Sequence, residues 1–193
     1  ALAFTFQLFL DFSAYSEMAI GIALMLGLQL PQNFNAPYAA ADLRDFWRRW
    51  HMSLSRYLRD YVYIPLGGSR SGAATYLFAT IVTMGLCGLW HGAGWTFVVW
   101  GLLHGVGLIV CRAWQSLDVP LPFPIAWAIT MGLVVAGWVL FRADSFSTAA
   151  IMLHAMAGLD GRGGKLSGAA LIAAAGVVSI LGPTSYEVVT RRL

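Results

Sequence analysis

The sequence predicts an all-α, multi-spanning integral membrane protein, with transmembrane helices and additional amphipathic or re-entrant helices. Of its 193 residues, 59% are hydrophobic and only 11% are charged, against roughly 45–50% and about 25% in soluble domains. Five stretches contain no charged residue: 1–10, 18–41, 71–111, 119–141 and 166–186. A helix crosses a bilayer with about 20 mainly apolar residues, so most of the chain fits inside lipid. This composition excludes a coiled coil, a disordered chain and a nucleic-acid partner.

Residues 1–30 are apolar except for the polar segment 11–17. We expect membrane helices here, the end of one helix followed by a second over 16–30. Asp11 would then lie in or near the membrane, where carboxylates usually face a cavity or a partner, although an interfacial helix-capping role is equally compatible. Two prolines and two asparagines in 31–37 predict a linker.

Residues 42–64 form a predicted amphipathic helix, because aromatic and aliphatic residues recur there at spacings of three and four. Asp42 is a suitable N-cap. The segment 42–70 holds six arginines and three aspartates, which account for the whole net charge of +3, and the positive-inside rule places it on the cytoplasmic side. On a continuous helix one face carries a set of polar and cationic residues, Arg44, Arg48, His51, Ser55 and Arg59. Asp45 and Arg49, and likewise Arg56 and Asp60, are four residues apart and can form ion pairs.

That cationic face has two interpretations: it lies among lipid headgroups, or it receives an anionic ligand. The uncharged run that follows is long enough for a helical hairpin over 75–111, and further membrane helices are expected over 123–141 and 166–183. Gly101 and Gly105 are more typical of close helix packing than of a nucleotide-binding loop. Cys87 and Cys111 lack the spacing of a zinc site or a disulfide framework, so no metal is expected.

The histidines are the most informative polar residues of the apolar segments. A neutral imidazole is suited to general-base catalysis near pH 7, and His91 fits this role best because it lies among glycines in the uncharged hairpin. The alternative is a helix-terminal histidine bonded to a backbone carbonyl. For His104, an interhelical hydrogen bond is the expected role.

Several motifs carry a specific resemblance. They are Asp11-Phe-Ser-Ala-Tyr-Ser-Glu-Met-Ala-Ile-Gly21, Phe46-Trp-Arg-Arg-Trp-His-Met-Ser-Leu-Ser55, Leu58-Arg-Asp-Tyr61, Ile64-Pro-Leu-Gly-Gly68 and Leu89-Trp-His-Gly-Ala93. Over residues 1–150 the chain resembles the membrane-bound O-acyltransferase family, and within it the bacterial alginate O-acetylase branch. Because members of this family are more than twice as long, the resemblance implies that residues 1–193 are the C-terminal part of a single membrane domain.

The resemblance also implies an activity and a set of site residues. His91 matches the essential histidine of the family and His51 the second signature position, so both are expected to be catalytic. Arg48 and Arg49 would position the acyl donor, and Trp47, Trp50, Trp90 and Asp11 would complete the substrate-binding set. The donor would be acetyl-CoA or another acyl thioester, with no tightly bound cofactor. The acceptor would be a hydroxyl of an exported polysaccharide such as alginate.

The same resemblance implies a multi-pass protein of the bacterial inner membrane. Its expected partners are membrane lipid and an exported SGNH-type acetyltransferase or polysaccharide-modifying complex. Two alternatives remain open. A D-alanyl transferase acting on teichoic acid has similar motifs, and a transporter or channel would line a solute or proton path with Asp11, Glu17 and the histidines.

Overall fold

The computed structural model describes residues 1–159 and 168–184 of the chain. These residues contain eight α-helices. They are α1 (Leu2–Met25), α2 (Leu43–Arg49), α3 (Met52–Leu58), α4 (Ala73–His91), α5 (Trp95–Gln115), α6 (Phe123–Arg142), α7 (Phe146–Met156) and α8 (Ala169–Leu181). A 3-10 turn, Pro37–Ala39, precedes α2, and a π-helical turn, Arg59–Tyr63, follows α3. By length and composition α1, α4, α5 and α6 can each cross a membrane. The described residues contain no strand, which confirms the predicted all-α class.

Helices α4 and α5 form the predicted hairpin, and glycines allow their backbones to touch. A Cβ atom on Gly101 would collide with the carbonyl oxygen of Met84, and one on Gly88 with the carbonyl oxygen of Phe97. Gly105 lies on the same face of α5 and packs against Met84. The packing role predicted for Gly101 and Gly105 is confirmed, and at Gly101 only a residue without a side chain fits the close backbone approach.

An aromatic core joins α1, the 31–41 loop, α2, α5 and α6. Tyr38 is completely buried at its centre. The Tyr38 hydroxyl donates a 2.7 Å hydrogen bond to the carbonyl oxygen of Thr5, and the Trp127 indole donates one of 2.8 Å to the carbonyl oxygen of Tyr38. The loop therefore ties α1 to α6 through bonds that satisfy otherwise buried polar groups.

The terminal helices differ from the sequence-based expectation. Residues 2–25 form one helix rather than two, because the 11–17 segment contains no glycine or proline and the Ser13 hydroxyl bonds back to the carbonyl oxygen of Leu10. The predicted span 166–183 corresponds to α8, whose 13 residues measure about 20 Å and do not cross a hydrocarbon core of about 30 Å. Residues 166 and 167 lie outside the described part.

The prediction of a continuous helix over 42–64 is wrong, because the helix breaks between α2 and α3. Trp50 is extended and His51 adopts a left-handed conformation, with φ of +42°. The Asn35 amide donates to the carbonyl oxygen of Arg49 (3.0 Å), and the Met52 amide donates to the carbonyl oxygen of Asn33 (2.9 Å). Loop residues thus bond the backbone groups that a continuous helix would use.

The break also changes the predicted side-chain arrangement. His51 no longer shares a helix face with Arg44, Arg48, Ser55 and Arg59. Asp42 caps α2 by accepting from the Asp45 amide, and the Asp45–Arg49 ion pair forms at 2.9 Å, as predicted. The predicted Arg56–Asp60 pair is replaced by an Arg59–Asp60 pair at 2.7 Å, at the point where α3 gives way to the π-helical turn.

The glycine contact gives a stability prediction. Gly101→Ala should lower the free energy of unfolding by about 1–3 kcal/mol, because the methyl group must displace the backbone of α4. Gly132→Ala is the matched control, since no atom lies within 4 Å of a Cβ there. Thermal unfolding in detergent measures both. Equal melting temperatures for the two variants would contradict the proposed packing.

Candidate active site

Two histidines contact one exposed indole ring, that of Trp90. His51 occupies the turn between α2 and α3, and His91 is the last residue of α4. The Trp90 ring centre is 4.9 Å from that of His91 and 6.3 Å from that of His51. Trp90 is 64% exposed, so the two imidazoles border an exposed surface of the described chain.

His91 is held by ring packing and not by hydrogen bonds. Its ring meets Trp100 of α5 at 5.2 Å and Phe141 of α6 at 5.0 Å, both nearly perpendicular. Neither ring nitrogen is hydrogen-bonded to another residue in the described part of the chain. The expected alternative, a bond to a backbone carbonyl, is therefore not observed. The aromatic rings fix the position of His91 and leave its nitrogens available to a ligand.

Asn33 fixes the tautomer of His51. The Asn33 Oδ1 atom accepts from the Ser53 backbone amide at 3.2 Å and from the Ser53 hydroxyl at 2.9 Å, and it lies 3.2 Å from Nδ1 of His51. A backbone amide can only donate, so this atom is the amide oxygen and His51 donates to it from Nδ1. The Nε2 atom of a neutral His51 then carries a free lone pair. Burial lowers the pKa of His51 to about 4, so the ring is neutral at pH 7.

A buried hydrogen bond between α2 and α5 supports Trp100, one of the rings that pack against His91. The Trp47 indole of α2 donates to Nδ1 of His104 on α5 at 3.3 Å, which confirms the interhelical role predicted for His104. Trp100 packs against both His104 and His91, at 5.0 and 5.2 Å. Gly137 of α6 makes the fit possible, because a Cβ there would lie 2.9 Å from Nε2 of His104.

The two adjacent arginines of α2 face different environments. Arg48 is exposed and borders a groove of about 610 Å³ between α2, α3, α4 and α5. Arg49 instead pairs with Asp45 on its own helix. A ligand in the groove would therefore meet Arg48 but not Arg49.

Comparisons with known proteins identify the family. Residues 1–146 match the model of MBOAT, the membrane-bound O-acyltransferase family. The chain belongs to the membrane-bound O-acyltransferase family. Together with the four apolar helices, this makes it a multi-pass integral membrane protein.

Individual relatives refine the position within this family. The "Peptidoglycan O-acetyltransferase" of Helicobacter pylori is 47% identical over 165 residues, covering 83% of this chain and 31% of the relative. The "Probable alginate O-acetylase AlgI" of Pseudomonas putida is 50% identical over 157 residues, covering 81% of this chain and 32% of the relative. The "Teichoic acid D-alanyltransferase" of Streptococcus thermophilus is 37% identical over 116 residues, 56% of this chain and 28% of the relative. The chain thus spans about a third of the length of these relatives.

The structure brings together three of the residues expected at an acyltransferase site, His51, Trp90 and His91. Trp50 lies in the aromatic core, stacked on Phe46 at 5.6 Å. Trp47 is also buried, and its edge borders the groove. Asp11 is exposed on α1 and contacts neither histidine, whereas the adjacent Phe12 meets the His51 ring at 4.9 Å.

Sequence reasoning missed the residues that hold the site in place: Phe12, Asn33, Trp100 and Phe141. The sequence places Asn33 only in a turn-forming linker, because helical periodicity carries no information about a loop that packs on a distant helix break. A signal was available in its polarity, since an asparagine inside an otherwise apolar membrane sequence needs hydrogen-bond partners. The three aromatic residues follow the same periodicity as ordinary core positions.

Asn33 provides a direct test of how the His51 turn is held. Asn33→Ala removes the acceptor for Ser53 and His51, so the free energy of unfolding should fall by about 2 kcal/mol. Asn35→Ala is the control, because the Asn35 side chain is exposed in the same loop. Chemical denaturation in mild detergent measures both variants, and an unchanged stability of Asn33→Ala would rule out the anchoring role.

Proposed function

We propose that this protein transfers an acetyl group from a thioester donor to hydroxyl groups of an exported or cell-envelope polysaccharide. The observation that carries the proposal is that the imidazoles of His51 and His91 both contact exposed Trp90, while the nitrogens of His91 have no hydrogen bond within the described part of the chain. Membership of the O-acyltransferase family supports the same reaction.

In this mechanism His91 is the general base. Its free nitrogen takes the proton of the acceptor hydroxyl while the oxygen attacks the thioester carbonyl. The carbon–sulfur bond then breaks, the ester forms, and the protonated His91 returns its proton to the leaving thiolate. Aromatic neighbours around His91 suit this cycle, because they hold the ring in place without a carboxylate that would stabilise its protonated form.

His51 has a different role because of its tautomer. With Nδ1 donating to Asn33, its Nε2 can only accept while the ring is neutral. It is therefore suited to orienting the acceptor hydroxyl beside Trp90. Arg48 is suited to the donor, since a guanidinium binds phosphate groups. Arg49 is less suited, because Asp45 already neutralises it.

The relatives favour acetyl over D-alanyl as the transferred group. The two acetyltransferase relatives are 47% and 50% identical over more than four fifths of this chain, against 37% over 56% for the D-alanyltransferase. Because a peptidoglycan and an alginate enzyme are about equally similar, we propose a polysaccharide hydroxyl as the acceptor without choosing the polymer. Acetyl-CoA as donor, membrane lipid and an exported SGNH-type acetyltransferase as partners, and the bacterial cytoplasmic membrane as location complete the proposal.

His91→Gln in the full-length protein should reduce polymer acetylation by about 10²–10⁴-fold, as expected for loss of a general base. His154→Gln is the matched control, because His154 is exposed on α7. Ester-bound acetate on the extracted polymer is the readout, with solute flux through the same membranes measured in parallel. Acetylation at the wild-type level in His91→Gln would refute the proposed base, and a selective loss of flux would favour the transporter alternative.

The tautomer assignment predicts a change in pH dependence. At the lowered pKa of about 4, His51 stays neutral down to acidic pH. In Asn33→Asp a carboxylate faces Nδ1 and stabilises the imidazolium, so the acid limb of kcat/KM should move upward by about 1–3 pH units. Asn35→Asp serves as the control. Coincident pH profiles for wild type and Asn33→Asp would show that His51 does not act through Nε2.

A further inference from the structure

His104 of α5 is a histidine that the proposed mechanism does not use, and its side chain is completely buried. The rings of Phe46, Trp47 and Trp100 pack against it, at centre distances of 6.2, 5.5 and 5.0 Å. A residue in this position cannot touch a substrate. Any effect of His104 on the reaction therefore passes through the side chains that pack against it.

Burying a histidine here costs free energy that an apolar side chain would avoid. The Nε2 atom of His104 has no hydrogen-bond partner among the described residues, and a buried polar atom without a partner is unfavourable. The Nδ1 atom, in contrast, accepts from the Trp47 indole at 3.3 Å. A leucine could occupy the same position but could not accept this bond. The bond to Trp47 is therefore the property that distinguishes His104 from an apolar residue.

The Trp47 bond also fixes the state of the His104 ring. An indole nitrogen only donates, so Nδ1 of His104 carries the lone pair and the proton of the neutral ring lies on Nε2. Asparagine can replace this function, because its amide oxygen lies close to the position of Nδ1. Leucine has a similar size and offers no acceptor, so the two residues differ mainly in the bond to Trp47.

Trp100 connects His104 to His91. Its ring centre lies 5.0 Å from that of His104 and 5.2 Å from that of His91, and it stacks on Trp138 at 5.8 Å. The Nε1 atom of Trp100 has no hydrogen-bond partner among the described residues, so packing alone sets the orientation of this ring. Because close-packed side chains transmit small displacements, a change at His104 reaches His91 through Trp100.

Helix α6 places a second constraint on the same two rings. A Cβ atom on Gly137 would lie 2.9 Å from Nε2 of His104 and 3.3 Å from Nε1 of Trp100. One turn further along α6, Phe141 packs against His91 at 5.0 Å. A methyl group added at Gly137 would therefore displace the rings of His104 and Trp100 while leaving the donor and acceptor of the Trp47 bond in the sequence.

We propose that His104 is a positioning residue for His91. Trp47 holds His104 through Nδ1, His104 holds the ring of Trp100, and Trp100 keeps the His91 imidazole where its nitrogen takes the proton of the acceptor hydroxyl. This role rests on the proposed function insofar as His91 is the general base. His104 itself neither touches the substrate nor exchanges a proton.

Paired substitutions separate the hydrogen bond from the volume of the side chain. His104→Leu removes the acceptor, whereas His104→Asn keeps one. Trp47→Phe removes the donor, and the double variant Trp47→Phe/His104→Leu removes both partners, so neither is left buried and unpaired. Trp114→Phe is the matched control, because it removes an indole bond to the carbonyl oxygen of Val119 at the C-terminal end of α5.

Initial rates are measured with the full-length protein in membranes of its host, which supply the acceptor, with acetyl-CoA as the donor probe. His104→Leu should lower the apparent kcat for ester-bound acetate by about 10–100-fold and leave the KM for acetyl-CoA within about twofold, as for a misplaced catalytic group. His104→Asn should keep at least about a third of the wild-type kcat. Trp47→Phe should lower kcat in the wild-type background and not in His104→Leu, because the two residues act through one bond.

The double variant distinguishes positioning from stability. Replacing both partners by apolar groups should return the melting temperature in detergent towards that of the wild type. The kcat of the double variant should stay as low as that of His104→Leu, because the bond that holds the ring is still absent. A purely structural role would restore both quantities together.

A second measurement needs no turnover. Diethyl pyrocarbonate modifies accessible imidazole nitrogens, and peptide mass spectrometry gives the rate at each histidine of the full-length protein. In His104→Leu and Gly137→Ala the rate at His91 should rise about threefold or more, because its ring is less closely confined. The rate at exposed His154 should not change. Gly132→Ala is the control for Gly137→Ala, since a Cβ there meets no atom within 4 Å.

A wild-type kcat in folded His104→Leu, together with an unchanged rate of His91 modification, would overturn the positioning role. Equal losses of kcat in His104→Leu, His104→Asn and Trp114→Phe would overturn it as well, because they would reflect general destabilisation. The proposed function fails separately, if His91→Gln acetylates at the wild-type level. In that case the rate of His91 modification alone decides whether His104 positions the ring.

Discussion

The organisation of the site depends on the hydrogen bonds between the 31–37 loop and the break between α2 and α3. The Asn33 carbonyl accepts from Met52, the Arg49 carbonyl accepts from Asn35, and the Asn33 side chain holds Ser53 and His51. A histidine with φ of +42° is otherwise unfavourable, since non-glycine residues rarely adopt this conformation. The loop stabilises that conformation, and the conformation places the His51 ring beside Trp90 instead of on the cationic helix face.

Aromatic packing then gives the second histidine its position. His91 is the last residue of α4, at the end of the glycine-packed hairpin, and meets Trp100 and Phe141 from two neighbouring helices. Trp100 is itself supported by His104, whose Nδ1 atom is bonded to Trp47. The two imidazoles are thus positioned by different means. His51 is oriented by a hydrogen bond that selects its tautomer. His91 is oriented by rings, and no described residue bonds either of its nitrogens. This asymmetry is consistent with the two roles proposed above, orienting a hydroxyl and proton transfer.

Local regularities of the sequence predicted much of the fold. The uncharged hairpin follows from the length of an apolar run, the packing role of Gly101 from its spacing to Gly105, and the Asp42 cap from an interaction within one helical turn. Contacts between residues that are distant in the sequence could not be predicted in this way. The aromatic periodicity of 42–64 continues through the break, so it gives no sign that loop residues more than ten positions earlier take over its backbone bonds. For the same reason, the motifs indicated His51 and His91 but not Asn33 or Phe141, which position them.

Helix α2 connects the groove between α2, α3, α4 and α5 to the histidine pair. Its N-terminal part contributes Arg44 and Arg48 to that groove, and its C-terminal end leads into the His51 turn. Between them, Trp47 borders the groove on one side and meets Trp100 at 6.1 Å on the other, and Trp100 meets His91. Helix α2 is therefore in contact, through Trp47 and the His51 turn, with both imidazole positions. Because the rings around His91 are close-packed, even a small displacement of α2 must be accommodated by the histidine site.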